Sequence, residues 1–184
     1  MQKYKKCTIV NVAFCQFNGI YEKFCNYYSK MALEIEHKYL VINDSFKDLS
    51  SKCIHICQGY LSKDKERTVR IRIAGKDAFI TIKGKNSGDT RLEFEYPISI
   101  DEARIMLEQL CHKPILEKYR YIVEYNCNKW EIDEFKGELD GLTLAEIEIP
   151  YSEYKYDIPP FIGKNVTNDV RYYNSNLIDK IPKD

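Results

Sequence analysis

No apolar run in this chain approaches the ~20 residues that a membrane-crossing helix needs, so no such span is expected. Seven cysteines are present (Cys7, Cys15, Cys25, Cys53, Cys57, Cys111, Cys127), but no C-x-x-C pair occurs among them. The paired spacing of a zinc site is therefore missing. Their odd number and irregular placement read as free thiols of a reducing cytosol rather than as a disulfide framework. Net charge is lacking as well, since 28 Lys and Arg balance 28 Asp and Glu. That removes the bulk positive field on which a duplex nucleic-acid binder relies. The 184 residues show no internal repeat and no second-domain boundary, and the length suits one domain with a full core. These absences leave a soluble, cytoplasmic protein, with neither nucleic acid nor membrane as a partner.

What is present favours strands, beginning with 15 tyrosines. Residues 1–30 stand apart: they hold five lysines and one acid and follow neither a helical nor a strand period. Lys3, Lys5 and Lys6 ahead of Cys7–Cys15 imitate a signal peptide, but the apolar part is short, Thr8 and Asn11 break it, and no small-residue cleavage site follows. This segment reads as an upstream extension or a mobile tail, with Met31 as the natural start and one domain over 31–184.

From Ala32 the pattern alternates. Glu34, Glu36 and Lys38 fall on one face of a strand, Leu33, Ile35 and Tyr39 on the other. Carboxylates two residues apart on a strand repel, and a divalent cation with oxygen preference relieves that repulsion. Lys38 adds a charge that attracts phosphate. Asn43-Asp44-Ser45 caps a short helix from Phe46 to about Lys52. A strand follows over 53–61, then a polar turn over 62–66. Three alternating strands come next, around 67–74, 78–83 and 91–96, the first two joined by a compact antiparallel turn. Pro97 ends the third. Ser99-Ile100-Asp101-Glu102 has capping-box spacing ahead of an amphipathic helix over 100–111. Strands resume at 118–125, 130–135 and 144–149, and the tail is read as a short helix at 152–156 and another over 168–178.

The polar faces, collected strand by strand, are Glu34, Glu36 and Lys38; Arg70 and Arg72; Lys83; Arg91, Glu93 and Glu95; Lys118 and Arg120; Glu131 and Asp133; Glu146 and Glu148. The opposite faces are apolar almost throughout. An ordinary barrel places apolar residues inside; here the inverse explains more, a closed barrel with a charged lumen and an apolar outside partly covered by helices. Acids in such a lumen suit Mg²⁺ or Mn²⁺, and bases suit phosphate oxygens. The competing arrangement is a flat antiparallel sheet whose charged face meets water.

Glu34-x-Glu36-x-Lys38 resembles the E-x-E-x-K signature of the CYTH superfamily, the triphosphate tunnel metalloenzymes. The likeness continues in register through Gln58-Gly59-Tyr60-Leu61, Arg67-Thr68-Val69-Arg70-Ile71-Arg72, Thr81-Ile82-Lys83-Gly84, Arg91-Leu92-Glu93-Phe94-Glu95, Lys118-Tyr119-Arg120-Tyr121, Trp130-Glu131-Ile132-Asp133-Glu134-Phe135-x-Gly137 and Ala145-Glu146-Ile147-Glu148. It departs at His37, where arginine is common, at Phe161-Ile162-Gly163, where a W-[LI]-G is common, and at Asn165, where glutamate is frequent. His37 alternates to the outer face, and His55 and His112 read as structural.

The resemblance implies an α+β, mainly antiparallel fold: an eight-stranded closed tunnel barrel with a charged lumen and a few peripheral helices. It also implies a divalent metal and a small-molecule triphosphate substrate, and it is compatible with a homodimer. The tripolyphosphatase-like branch fits best. That means metal-dependent hydrolysis of inorganic tripolyphosphate to pyrophosphate and phosphate. A class IV-type adenylyl cyclase, a nucleoside or thiamine triphosphatase and a non-catalytic polyphosphate binder stand as alternatives. The implied triphosphate contacts are Lys38, Arg70, Arg72, Lys83, Arg91, Lys118 and Arg120. The implied metal ligands are Glu34, Glu36, Glu131, Asp133, Glu146 and Glu148. Lys38, Lys83, Glu93 and Glu95 are the implied catalytic groups.

Overall fold

The computed structural model describes residues 33–177 and 179; the reading of residues 1–30 lies outside them. The elements are β1 (Leu33–Val41), α1 (Phe46–Leu49), β2 (Ser50–Asp64), β3 (Arg67–Ala74), β4 (Asp77–Gly84), β5 (Thr90–Ile98), α2 (Ile100–Gln109), β6 (His112–Tyr125), β7 (Asn128–Phe135), β8 (Thr143–Glu148), β9 (Ile162–Asn165) and α3 (Asn174–Leu177), with 3-10 turns at Gly137–Leu139 and Val170–Tyr172. All pairings are antiparallel, in the order β5-β4-β3-β2-β6-β7-β8-β1. The sheet closes because β1 also pairs with β5, Leu33 opposite Leu92, Glu34 opposite Arg91 and Ile35 opposite Thr90. The eight-stranded tunnel expected from the sequence is therefore present. Beyond it β9 adds a ninth strand to the edge of β1.

The alternation decides what lies where. Odd-numbered β1 positions such as Ile35 and Tyr39 join Trp130, Ile132, Ala145 and Ile147 in an apolar layer on the outside of the barrel, covered by Phe46 of α1 and by Phe161. A second outer layer, Ile71 and Ala78, is covered by Ala103 and Leu107 of α2. Inside, each strand passes from an apolar position to a charged one: Leu116 then Lys118 and Arg120 on β6, Phe135 then Asp133 and Glu131 on β7, Leu144 then Glu146 and Glu148 on β8. Tyr60, Leu116, Phe135 and Leu144 pack with Leu139 and with Leu177 of α3, so this end of the interior is an apolar plug.

α2 starts as its capping box requires. The Ser99 hydroxyl accepts the Glu102 N–H at 3.2 Å while the Glu102 carboxylate accepts the Ser99 N–H at 3.2 Å. Replacing Ser99 with alanine should cost about 1 kcal/mol, a fall of a few degrees in the thermal midpoint for a domain of this size. An unchanged melting curve would show that the cap does not hold α2 in place.

Several local expectations are corrected. The helix after β1 stops at Leu49 rather than Lys52, because Ser50 already pairs with Val123 on β6. Ser45 makes no side-chain cap; Asn43 Oδ1 instead accepts from its N–H and hydroxyl. The stretch read as a turn over 62–66 is mostly strand, since β2 shifts register between Tyr60 and Ser62 and continues to Asp64, opposite Arg67. Pro97 does not end β5: it pairs with Phe79 on one side, and β1 reaches only residues 90–92 on the other, so a missing N–H is tolerated there. β6 begins at His112, earlier than 118.

No helix forms at 152–156, where Tyr154 and Tyr156 instead pack against the outer layer beside Trp130. The helix read over 168–178 is a 3-10 turn followed by the four residues of α3, with the Asp169 carboxylate accepting the Arg171 N–H. β9 carries no alternating signal. It forms because Gly163 lets it approach β1, where a Cβ would lie 2.6 Å from Ile42 and 3.2 Å from the Leu40 carbonyl oxygen.

Candidate active site in the barrel lumen

The lumen opens into a cavity of about 710 Å³, within the size range of small-molecule sites. Of the residues singled out from the sequence, Glu34, Glu36, Lys38, Arg70, Arg72, Lys83, Arg91, Glu93, Glu95, Arg120, Glu131, Glu146 and Glu148 line it. Lys118 and Asp133 do not. They are 1% and 0% exposed and form an ion pair beneath it. Closure of the sheet brings cations of β3, β4 and β5 opposite carboxylates of β7, β8 and β1, which a flat sheet would leave far apart.

One wall is basic but internally paired. Arg72 Nη2 meets both Glu95 carboxylate oxygens at 3.0 and 2.9 Å. Arg70 Nη2 meets Glu95 at 3.3 Å and the Thr81 hydroxyl at 3.1 Å, and Thr81 donates to Glu95 at 2.6 Å. Burial disfavours the charge on Glu95, yet Arg72, the Thr81 hydroxyl and Arg70 outweigh it and hold the carboxyl below its usual range. Lys83 bridges Glu34 at 3.1 Å and Glu93 at 2.6 Å, and Arg91 Nε reaches Glu34 at 2.6 Å. Burial, with Arg70 second, lowers the Lys83 ammonium below the ordinary lysine value.

The other wall is acidic. Glu36 on β1 and Glu148 on β8 stand directly opposite each other, as do Glu131 on β7 and Glu146 on β8. Lys38 ties to Glu146 at 2.7 Å and lies 3.6 Å from Glu36. Burial works against the Lys38 ammonium, but Glu146 and Glu36 raise it above the lysine range. Glu146 shows the converse. Burial would raise it, and Lys38, Arg120 and Lys118 hold it well below the carboxylate range. Glu36 and Glu148 are the exceptions. Burial followed by Glu146 pushes Glu36 up, and burial followed by Glu34 pushes Glu148 up.

Below both walls lies a charged floor. Arg120 donates to Asp133 through Nε at 2.7 Å and Nη2 at 2.6 Å, to Glu146 at 2.8 Å and, through Nη1, to Glu131. Lys118 bonds the same Asp133 carboxylate. Desolvation with no full compensation from Asp133 pushes Lys118 down to about 8. Arg120 therefore has its donors committed to carboxylates already.

Sequence reasoning missed several residues of the site. Thr81 does not line the cavity but bonds Arg70 and Glu95 from within the wall; it shares the face of Lys83, so the same alternation could have found it. Lys63 and Lys65 were hidden by the expected turn; Lys63 ion-pairs with Asp179. Tyr173, Asn174 and Thr167 line the cavity from the tail, and no periodicity could have placed them. His37 stays outside the lumen as expected, its ring nitrogens 2.6 Å from the Tyr156 hydroxyl and 3.3 Å from Asp89.

A closed antiparallel barrel whose bore, rather than whose wall, carries the charge defines a tunnel protein built to hold a compact, highly charged ligand. The chain belongs to the CYTH domain family, whose pattern matches residues 32–183. It is 44% identical over 148 residues to an inorganic triphosphatase of Acetivibrio thermocellus, covering 80% of this chain and 94% of that one. It is 33% identical over 153 residues to an inorganic triphosphatase of Nitrosomonas europaea, covering 81% and 99%. Among solved structures, that of the inorganic triphosphatase NE1496 superposes with a TM-score of 0.59 at 29% identity, covering 82% of this chain and 97% of that chain. The PH1012 protein of Pyrococcus horikoshii, at 20% identity and a TM-score of 0.52, covering 65% and 79%, shares the fold alone. Among the described residues no helix is long and apolar enough to cross a membrane.

Proposed function

We propose that this protein is a hydrolase that cleaves inorganic tripolyphosphate to pyrophosphate and orthophosphate with Mg²⁺ or Mn²⁺. One observation carries the reading: a cavity inside a closed barrel, in which a wall bearing Arg70, Arg72, Lys83 and Arg91 faces one bearing Glu36, Glu131, Glu146 and Glu148. The relatives named inorganic triphosphatase support it.

The donor set fits a hard divalent cation, being carboxylate oxygen throughout. Glu36 and Glu148 are the two acids whose ionised forms the lumen leaves under-compensated. They, with Glu34, Glu131 and Glu146, would hold the ion. When bound, the ion would neutralise charge on the phosphate oxygens and make a water beside it easier to deprotonate. Asp133, although on the same face, serves by fixing Arg120 and Lys118 from below.

The chain's own groups do the rest. Arg70, Arg72, Lys83 and Arg91 exchange their carboxylate partners for phosphate oxygens, a substitution of one anion for another that costs little desolvation because the cations are already out of water. Lys38 and Lys83 stabilise charge as it develops on the bridging oxygen. Glu93 and Glu95, released from their cations, orient the water in line with the terminal phosphorus. The water oxygen bonds to that phosphorus and gives up a proton to the carboxylate that orients it, the bond to the bridging oxygen breaks, and pyrophosphate leaves. Arg120 and Lys118 set the shape of the floor.

Incubating the protein with tripolyphosphate, ATP or thiamine triphosphate plus either metal, with products followed by phosphorus NMR, tests this. Orthophosphate and pyrophosphate should appear fastest from tripolyphosphate. Cyclic AMP from ATP, or no product from any of the three, would overturn it. Replacing Arg72 with alanine should raise KM for tripolyphosphate at least tenfold with a smaller fall in kcat, as expected for a group that binds ground and transition states alike. A loss confined to kcat would instead place Arg72 at the reacting phosphorus.

A further inference from the structure

The outer wall of the barrel carries a second cluster of donors that the lumen does not use. His55 and Cys57 alternate onto the same outward face of β2, and Glu117 of β6 is the cross-strand partner of Cys57. His55 Nε2 lies 2.6 Å from Glu117 Oε1 and 4.0 Å from Cys57 Sγ. One ligand atom from each of the three lies within 4.8 Å of the others. The backbone beneath is rigid: the His55 carbonyl accepts the Gly75 N–H at 3.0 Å and the Glu117 carbonyl accepts the Lys136 N–H at 2.9 Å. Tyr119, two residues from Glu117 on the same face, packs its ring 5.1 Å from that of His55.

We propose that His55, Cys57 and Glu117 form a surface site for a borderline divalent metal ion of the zinc class, distinct from the oxygen-only site in the lumen. The donors are one imidazole nitrogen, one thiolate sulfur and one carboxylate oxygen. That mixture suits Zn²⁺ or Co²⁺ and not Mg²⁺. Tetrahedral bonding at ordinary metal–ligand lengths separates nitrogen from oxygen by about 3.3 Å and nitrogen from sulfur by about 3.6 Å. The nitrogen and oxygen therefore need to part by roughly 0.7 Å, and the sulfur to close by roughly 0.4 Å on the nitrogen and by up to about 1.2 Å on the oxygen, within reach of side-chain rotation on exposed His55 and Glu117 and half-buried Cys57. Binding releases the thiol proton to solvent, the neutral imidazole carries its single proton on Nδ1 while Nε2 faces the ion, and water completes the fourth position. The site clamps β2 to β6 from outside, directly behind Lys118 and Arg120.

Titrating the full chain with Co²⁺ and following its absorption tests the proposal, because a thiolate ligand gives a near-ultraviolet charge-transfer band that an all-carboxylate site lacks. About one equivalent should develop the band, and Zn²⁺ should displace it. Cys57→Ser should abolish it, and His55→Ala should weaken binding at least tenfold. Cys53→Ser, a variant with Cys7, Cys15, Cys25 and Cys127 all changed to serine, and the lumen variant Glu36→Gln should each keep it. Circular dichroism on every variant checks the fold; His55 and Glu117 are exposed, and the near-isosteric serine at half-buried Cys57 leaves its packing against the outer apolar layer in place. Zn²⁺ should also raise the thermal midpoint of the wild type and not of Cys57→Ser. A band that survives Cys57→Ser, or unchanged Co²⁺ affinity in His55→Ala, would overturn the site.

Discussion

Glu36→Gln should reduce tripolyphosphate turnover by roughly 10²- to 10³-fold while leaving the protein as stable as before or more so. The two halves of this expectation have one cause. Glu36 faces Glu148 across the β1–β8 pair and sits near Glu146, and its ion pairs are long, Lys38 at 3.6 Å and Arg91 at 3.9 Å. Its ionised form is therefore disfavoured in the folded protein, by burial first and Glu146 second. An acid whose folded pKa is raised contributes stability that is present below its unfolded pKa and lost as pH rises through the folded value. At neutral pH without metal the wild type bears that loss, and the neutral amide of glutamine does not. The mutant should thus melt at or above the wild-type temperature at pH 7, with the difference vanishing in acid. The same negative charge is what a cation and its phosphate ligand require, so turnover falls. Scanning calorimetry across pH, paired with phosphate release, reads both. A mutant that melts well below the wild type would make Glu36 a structural residue, and one with full activity would remove it from the site.

Asp133→Ala should have the largest effect on stability of any lumen substitution. The Asp133 carboxylate is fully buried and is shared by Lys118 and by two nitrogens of Arg120. Burial alone would raise its pKa, but Arg120 and Lys118 hold it below the usual range. Truncation leaves Lys118, 1% exposed, with no carboxylate within bonding distance among those described. Removing one partner of a buried pair costs about 3–5 kcal/mol. For a domain of this size that lowers the thermal midpoint by on the order of 10 °C. Replacing Lys118 and Asp133 together with apolar residues of similar size, Lys118→Met with Asp133→Leu, should recover most of the loss, because the buried ammonium is then gone and Arg120 keeps Glu131 and Glu146 as partners. If the double variant were no better than Asp133→Ala, the floor would be held by packing around these side chains rather than by charge.

Legibility followed the range of the interaction. β3, β4 and α2 could be read directly, because alternation and the Ser99–Glu102 cap act between residues a few positions apart. The elements that failed depend on distant partners. β9 exists because Gly163 fits against Leu40 and Ile42 more than a hundred residues earlier. The 152–156 segment makes one turn, Tyr154 N–H to the Tyr151 carbonyl, and goes no further as a helix because Tyr156 finds Trp130 and Tyr39 on the outer wall. Pro97 stays in a strand because its free side has no neighbour.

For the site, the period-two pattern determined which charged residues share a face and that the opposite face is apolar, since side-chain direction along a strand is a local property. It could not determine what each charge meets. Lys118 and Arg120 are two residues apart and identical by that criterion, as are Asp133 and Glu131, yet one of each pair is sealed beneath the cavity and the other lines it. Barrel closure, strand tilt and the apolar plug of Tyr60, Leu116, Phe135 and Leu144 decide this. Depth in a closed bore is set by how all the strands are staggered together, and no single strand carries that information.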